Sequence, residues 1–282
     1  MSKTHRIART GIAAFACLAA LAATASSPPA TDAATLATLD NVLAGDHRSD
    51  ANRARDQYRH PKETLEFFGL RQDMAVMEVS PGGGGWYTEV LAPTLRDHGR
   101  YIAAGWDPNS TSEYVKTNSK KYADKLASRP ELYGRAKVTA LQAPNALKPV
   151  PDGSVDMVVT FRNIHGWMGN DSADAMFKAM YAALKPGGIL GVVEHRAKAD
   201  EPQDPKAKSG YVREDYAIAM IERAGFKLIG KSEVNANPKD TADHPEGVWT
   251  LPPTLELGDV DRDKYLAIGE SDRFTLRFRK PE

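Results

Sequence analysis

The sequence predicts an α/β fold: a doubly wound, mostly parallel sheet of seven strands with an antiparallel last strand. Three observations carry that expectation. Short apolar runs alternate with amphipathic stretches from about residue 61 onward, the pattern of a parallel sheet covered on both faces. Four glycines, Gly82 to Gly85, follow the first apolar run after Ser80 and Pro81, where such sheets let a ligand approach the backbone. The final segment, "DRFTLRFRK", alternates with period two after a long excursion. It is expected to enter antiparallel, at the edge of the sheet.

The elements follow in order. A helix starts near Pro61, with Leu65, Phe67 and Phe68 on its apolar side. "MAVMEV" is the first strand, and "WYTEVLAPTLRDHG" is a helix closed by Gly99. "RYIAAGW" is the second strand, Thr111 to Arg129 a polar helix and "AKVTAL" the third strand. "SVDMVVTF" is the fourth. "SADAMFKAMYAALKPGG" is a helix ending at Pro186, whose glycines turn the chain into "ILGVVEH", the fifth strand. "REDYAIAMIERAGF" is a helix and "KLIGKSEV" the sixth strand. Residues 235–271 are too long for an ordinary connection and read as an insertion or lid before the last strand.

The N-terminus differs in kind. Lys3, Arg6 and Arg9 precede an apolar stretch from Gly11 to Ala23, and Ala23 and Ala25 form a small-residue cleavage pattern. This reads as an export signal over residues 1–25, with an uncleaved anchor as the alternative; the run is short for a bilayer span. The protein is therefore expected to be exported and periplasmic, meeting a membrane only through that segment. Residues 26–37, rich in Pro, Ala, Ser and Thr, read as a disordered linker, and 38–282 as one domain.

The 282 residues are 41% hydrophobic and 26% charged, with a formal net charge of zero. Losing Lys3, Arg6 and Arg9 leaves 34 basic against 37 acidic residues, which argues against a nucleic-acid partner. The single cysteine, Cys17, lies inside the leader. The remainder therefore offers no disulfide, thiolate nucleophile or cysteine metal site. "EH" at 194–195 is not by itself a ligand set, so no metal is expected.

The stretch "VMEVSPGGGGWYTE" narrows the ligand. Glu78 precedes the glycines, and its charge would repel a pyrophosphate held at the following helix. It suits a ligand that is cationic there. "EVSPGGGGWYTE" resembles the first motif of class I S-adenosylmethionine (SAM) dependent methyltransferases, which have a Rossmann-like fold. Ser80 stands at the family's first glycine, Gly82 and Gly84 at the next two. "DGSVDMVVTFRNIHGWM", "ALKPGGILGVVEH" and "IERAGFKLI" are similar to the family's later motifs, in the same order. "RHPKETLEFFGL" and "GVWTLPPTL…DRFTLRFRKP" also resemble a smaller group of predicted exported methyltransferases.

The resemblance implies SAM as cofactor. Gly82, Gly83 and Gly84 would approach the methionine carboxylate, Glu78 the amino end, and Asp107 the ribose hydroxyls. Gln142 and Ala143 stand where the family contacts adenine, though without its usual acid. Phe161 and Arg162 end the fourth-strand motif and are further cofactor candidates. Trp86 and Tyr87 could lie against the sulfonium or serve as core. Ser80 at positive φ would be costlier than glycine.

A methyl group on positive sulfur needs alignment more than activation. A base is needed where the acceptor must lose a proton. His165 and His195 are the candidates, with Glu194 to orient its neighbour. Asn163, Trp167, His244 and Trp249 are candidates for the acceptor site, the last two on a stiff segment, "DHPEGVWTLPPTL", that could cover it. The expected function is methyl transfer to a small-molecule or lipid-like acceptor. The alternative is an exported protein that binds SAM or a nucleoside without turnover.

Overall fold

A computed structural model describes Met1 and residues 30–282. The leader and its cleavage pattern, like Cys17, lie outside the described residues. Four helices come first: α1 (Ala33–Leu43), α2 (Asp50–Arg53), α3 (Asp56–Arg59) and α4 (Pro61–Phe68). Then follow β1 (Ala75–Val79), α5 (Thr88–Leu95), β2 (Arg100–Gly105), α6 (Glu113–Ser128), α7 (Pro130–Tyr133) and β3 (Lys137–Ala140). The second half holds β4 (Val155–Phe161), α8 (Ile164–Gly169), α9 (Ala173–Ala183), β5 (Leu184–His195), α10 (Glu214–Arg223) and β6 (Lys227–Ser232). A 3₁₀ turn (Gly247–Thr250), α11 (Arg262–Ile268) and β7 (Arg273–Arg279) complete it.

The seven strands form one sheet in the order β3-β2-β1-β4-β5-β7-β6. β1 to β5 run parallel, and β7 pairs antiparallel with both β5 and β6. The antiparallel last strand is as expected, but its place is not. β7 lies inside the sheet, and β6 takes the edge. Its polar positions are met from within: Arg273 bonds Glu270, and Thr275 accepts from Asn235 at 2.9 Å.

Strand order reverses between β1 and β4, so the crevice beyond their carboxyl ends is the switch point. Two apolar layers cover the sheet. Met77, Val79 and Leu190 pack with Met176 and Phe177 of α9 and Met220 of α10. Val76 and Val159 pack with Leu39, Leu65 and Phe68 of α1 and α4, and Val90 of α5.

Local chemistry sets several boundaries. Pro61 occupies the first turn of α4, and Gly69 closes it at φ 79°. The expected linker ends early: Asp32 caps α1 by accepting from the Thr35 N–H at 2.7 Å, and Thr35 and Leu39 are buried. Residues 33–37 are thus helix. The helix after Ser172 stops at Ala183, and the "KPGG" turn becomes the start of β5, with the Gly187 N–H donating to Lys280. Among the described residues no helix is long and apolar enough to cross a membrane.

Candidate active site

Two cavities open at the switch point. The first, about 390 Å³, is framed by Ser80 and Gly82 after β1, Trp106 after β2, Gln142 and Ala143 after β3, and Asn163 after β4. The second, about 370 Å³, lies on the side of the α2–α4 segment and the 3₁₀ turn. Arg162 and His165 line both.

The glycine loop is shaped by φ and by crowding. Ser80 sits at φ 52° and its N–H donates to the Ala104 carbonyl at 2.9 Å, so the unusual residue at the first glycine position does adopt the costly conformation. Gly82, at φ 72°, faces open space in the first cavity. At Gly83 a Cβ would stand 2.5 Å from the Asn118 side chain. That glycine admits α6 rather than a ligand. Gly84 lines the second cavity.

Several expected cofactor contacts lie elsewhere. Glu78 is 2% exposed and turns under α5, where its carboxylate accepts from Tyr101 Oη at 2.5 Å and Thr88 Oγ1 at 3.2 Å. Strand parity decides this: Glu78 shares the face of Val76, not the end of the strand. Burial, opposed by those two hydrogen bonds, raises its pKa to about 7. Phe161 is also core, stacked on Tyr87 with ring centroids 3.5 Å apart. Trp86 donates to the Asn52 carbonyl at 3.2 Å and lies 4.6 Å from the Arg59 guanidinium. Tyr87 is therefore core, whereas Trp86 also lines the second cavity.

Asp107 borders the first cavity without lining it. Its carboxylate accepts from the Asn109 N–H at 2.9 Å, and its own N–H donates to Gln142 Oε1 at 2.8 Å. Gln142 thus joins the ends of β2 and β3. Asn163 Nδ2 donates to the Val79 carbonyl at 3.1 Å and to Thr160 Oγ1 at 3.0 Å, clamping β1 to β4 across the switch point. Trp167 is buried against Phe177 and lines the first cavity.

At the junction stands His165. Its Nδ1 lies 3.1 Å from Glu194 Oε1. Glu194, fully buried, also accepts from the N–H groups of Ile164 (2.5 Å), His165 (3.3 Å) and His195 (2.9 Å). It therefore caps α8 and orients the ring, which leaves Nε2 as the free basic nitrogen of His165. Burial lowers the His165 pKa, but the Glu194 carboxylate outweighs it and the net direction is upward. Glu194 orients His165, whereas the sequence pointed to its neighbour His195.

His195 is buried, with Nδ1 2.5 Å from Ser271 Oγ. Burial, with the positive charge around it, pushes its pKa well down, so it stays neutral. His165, Glu194 and His195 bring possible ligand atoms within 4.8 Å of one another, a grouping that "EH" did not foretell. Glu194 is already occupied by three peptide N–H groups and a ring nitrogen, which suits a positioning role better than a metal ligand.

His244 is not at the site. Its Nε2 lies 2.8 Å from Asp240 Oδ1, part of a cluster with Tyr211 and the Asp272 N–H that pins the insertion. Trp249 does reach the second cavity, its ring 6.0 Å from that of His165. Sequence reasoning missed Arg55, Arg59, Glu270 and Arg273, which also line it.

Comparison with known proteins bears on this arrangement. Residues 78–192 match the family model described as a methyltransferase domain. The match runs from β1 through most of β5 and so includes the glycine loop and His165. The chain is similar to a sterol 24-C-methyltransferase of Gibberella zeae, 24% identical over 233 residues, 77% of this chain and 53% of that protein. It spans about half the length of the curated relatives it matches. Among solved structures it resembles a SAM dependent methyltransferase from Aquifex aeolicus, with TM-score 0.52, 17% identity and coverage of 88% of this chain and 98% of that one. The [4+2]-cyclase SpnF is similar as well, with TM-score 0.54, 19% identity and coverage of 88% and 93%. The fold is the Rossmann-like fold of methyltransferases.

Proposed function

We propose that this protein is a SAM-dependent methyltransferase acting on a small-molecule or lipid-like acceptor. The observation that carries the reading is His165, oriented by buried Glu194 and lining both cavities at once. A cofactor in the first cavity and an acceptor in the second would meet beside it.

The residues of the first cavity fit SAM. Gly82 leaves room for close approach to the backbone, Trp106 and Ala143 offer apolar surface, and Gln142 and Asp107 offer polar groups at the ends of β2 and β3. SAM supplies an electrophilic methyl group on positive sulfur, transferred with the C–S bonding pair left on sulfur. The chain's own tasks are alignment and exclusion of water. His165 Nε2 would accept the proton that an acceptor hydroxyl or acid loses. The leader-like N-terminus supports an exported, periplasmic location.

Calorimetric titration of SAM and S-adenosylhomocysteine tests the cofactor. Micromolar binding of both is expected, weakened at least ten-fold by Trp106→Ala and by Asp107→Ala. A folded chain that binds neither refutes the reading. A second reading, binding without turnover, stays open because a fold does not fix its chemistry. Tight cofactor binding with no transfer in a broad acceptor screen would favour it.

A further inference from the structure

The charge of the second cavity goes beyond what methyl transfer requires. Four guanidinium groups line it, from Arg55, Arg59, Arg162 and Arg273, against the single carboxylate of Glu270. That carboxylate is shared three ways. It accepts from Arg55 Nε at 2.5 Å, from Arg59 Nε at 3.1 Å and from Arg273. One negative charge cannot balance three buried or half-buried cations, and Arg162 adds a fourth.

Two of these arginines are well suited to a ligand. Arg59 is 3% exposed, and its Nη1 is buried without a hydrogen-bond partner. A buried, unpaired charged donor is costly unless something arrives to accept from it. Trp86, which lines the same cavity, lies 4.6 Å from its guanidinium. Arg162 sits at φ 61°, its N–H donating to the Val193 carbonyl at 2.7 Å. Among the described residues no carboxylate pairs with its guanidinium, which faces both cavities. Burial first, and then the neighbouring Arg273, lowers its pKa to about 10, with Glu270 opposing.

We infer that the second cavity takes the anionic end of the acceptor, a carboxylate or phosphate held by Arg59 and Arg162. The inference rests on the methyltransferase reading for the word acceptor, but the anion site stands on its own geometry. Planar guanidinium groups match both oxyanions in bidentate fashion. Trp249 and Pro252 line the same cavity and suit an apolar or aromatic body. A cofactor carboxylate reaching this far would cancel one of the three surplus charges and leave two. An acceptor anchored on Arg162 would extend past His165, which lines the same wall.

The test is calorimetric titration of the full chain with phenyl phosphate, 4-hydroxybenzoate and the neutral 4-hydroxybenzyl alcohol. Each is measured with saturating S-adenosylhomocysteine and without it. Expected is binding of at least one anion ten-fold or more tighter than the alcohol, persisting when S-adenosylhomocysteine is bound. Arg162→Gln should cost the anion at least ten-fold and S-adenosylhomocysteine, whose cavity it also lines, by a smaller factor. This variant orphans no carboxylate, so it is expected to fold, and circular dichroism checks that. Arg59→Gln should act in the same direction.

Anions that bind no better than the alcohol overturn the inference. So does Arg162→Gln weakening S-adenosylhomocysteine and sparing the anion, because the arginines would then hold the cofactor's own carboxylate. Anion binding with no S-adenosylhomocysteine binding would instead sink the methyltransferase reading and keep the anion site.

Discussion

Replacing Glu78 by glutamine should stabilise the protein, and more so as pH rises. Glu78 lies on a strand buried on both faces, with two hydroxyl groups as its hydrogen-bond donors and no cation in contact. Burial raises its pKa from 4.5 to about 7. The folded chain therefore holds this proton more tightly than the unfolded chain. The resulting stability is complete below about pH 4.5 and is lost as pH rises through about 7. A displacement from 4.5 to about 7 corresponds to a loss on the order of 3 kcal/mol well above pH 7. Glutamine is neutral at every pH and keeps an oxygen for Tyr101 and Thr88 to donate to, so Glu78→Gln removes the loss. Urea unfolding of both proteins at pH 5.0 and pH 9.0 is the assay, and other titrating groups cancel in the difference. A variant more stable by no more than about 1 kcal/mol is expected at pH 5.0, and by about 2–4 kcal/mol at pH 9.0. A difference that does not change with pH, or a variant weaker at pH 9.0, refutes the argument. SAM affinity should stay within two-fold; a ten-fold loss would return Glu78 to the cofactor.

Two further outcomes are expected. Gly191→Ala places a Cβ 2.5 Å from the ring of buried Phe68, which Phe67 and Phe161 flank; overpacking should cost about 1–3 kcal/mol, and an unchanged urea midpoint would count against the packing described. Glu194→Gln should move the acidic limb of the pH–rate profile to lower pH and reduce the plateau rate at least ten-fold, because the carboxylate raises the basicity of His165. A variant with an unaltered profile would leave His165 no role as base.

Much of the fold was legible because parallel strands buried on both faces must be nearly continuous apolar runs. "MAVMEV" and "SVDMVVTF" could hardly be anything else. β7 was legible as a strand but not as an interior one. Its alternation of arginine and apolar residues imitates a half-exposed edge, and only the fold supplies Glu270 to Arg273 and the Phe67 carbonyl to Arg277. The start of α1 failed for a different reason. Composition favoured a linker at residues 26–37, while the local signal, Asp32 followed three residues later by Thr35, is an N-cap geometry. Glu78 was misplaced by motif reasoning, though the parity of β1 already assigned it to the face of Val76.

The site divides along the same line. Gly82, Gln142 and Asn163 follow strands that converge on the switch point, so position in the chain was enough to bring them together. The arginines of the second cavity come from α2–α3, the turn after β4 and the start of β7, and nothing in their spacing announces a cluster. Yet the two halves are tied physically. The turn after β4 puts Arg162 at positive φ and begins α8 two residues later, with His165 in its first turn. Glu194, at the end of β5, caps that helix and orients that ring. One short segment therefore carries both the group that would hold an anion and the group that would take a proton, three residues apart. A shift of that turn would disturb both together. This gives Arg162 and His165 a common geometric fate, and it is why an anionic anchor and a base belong in the same account of the acceptor.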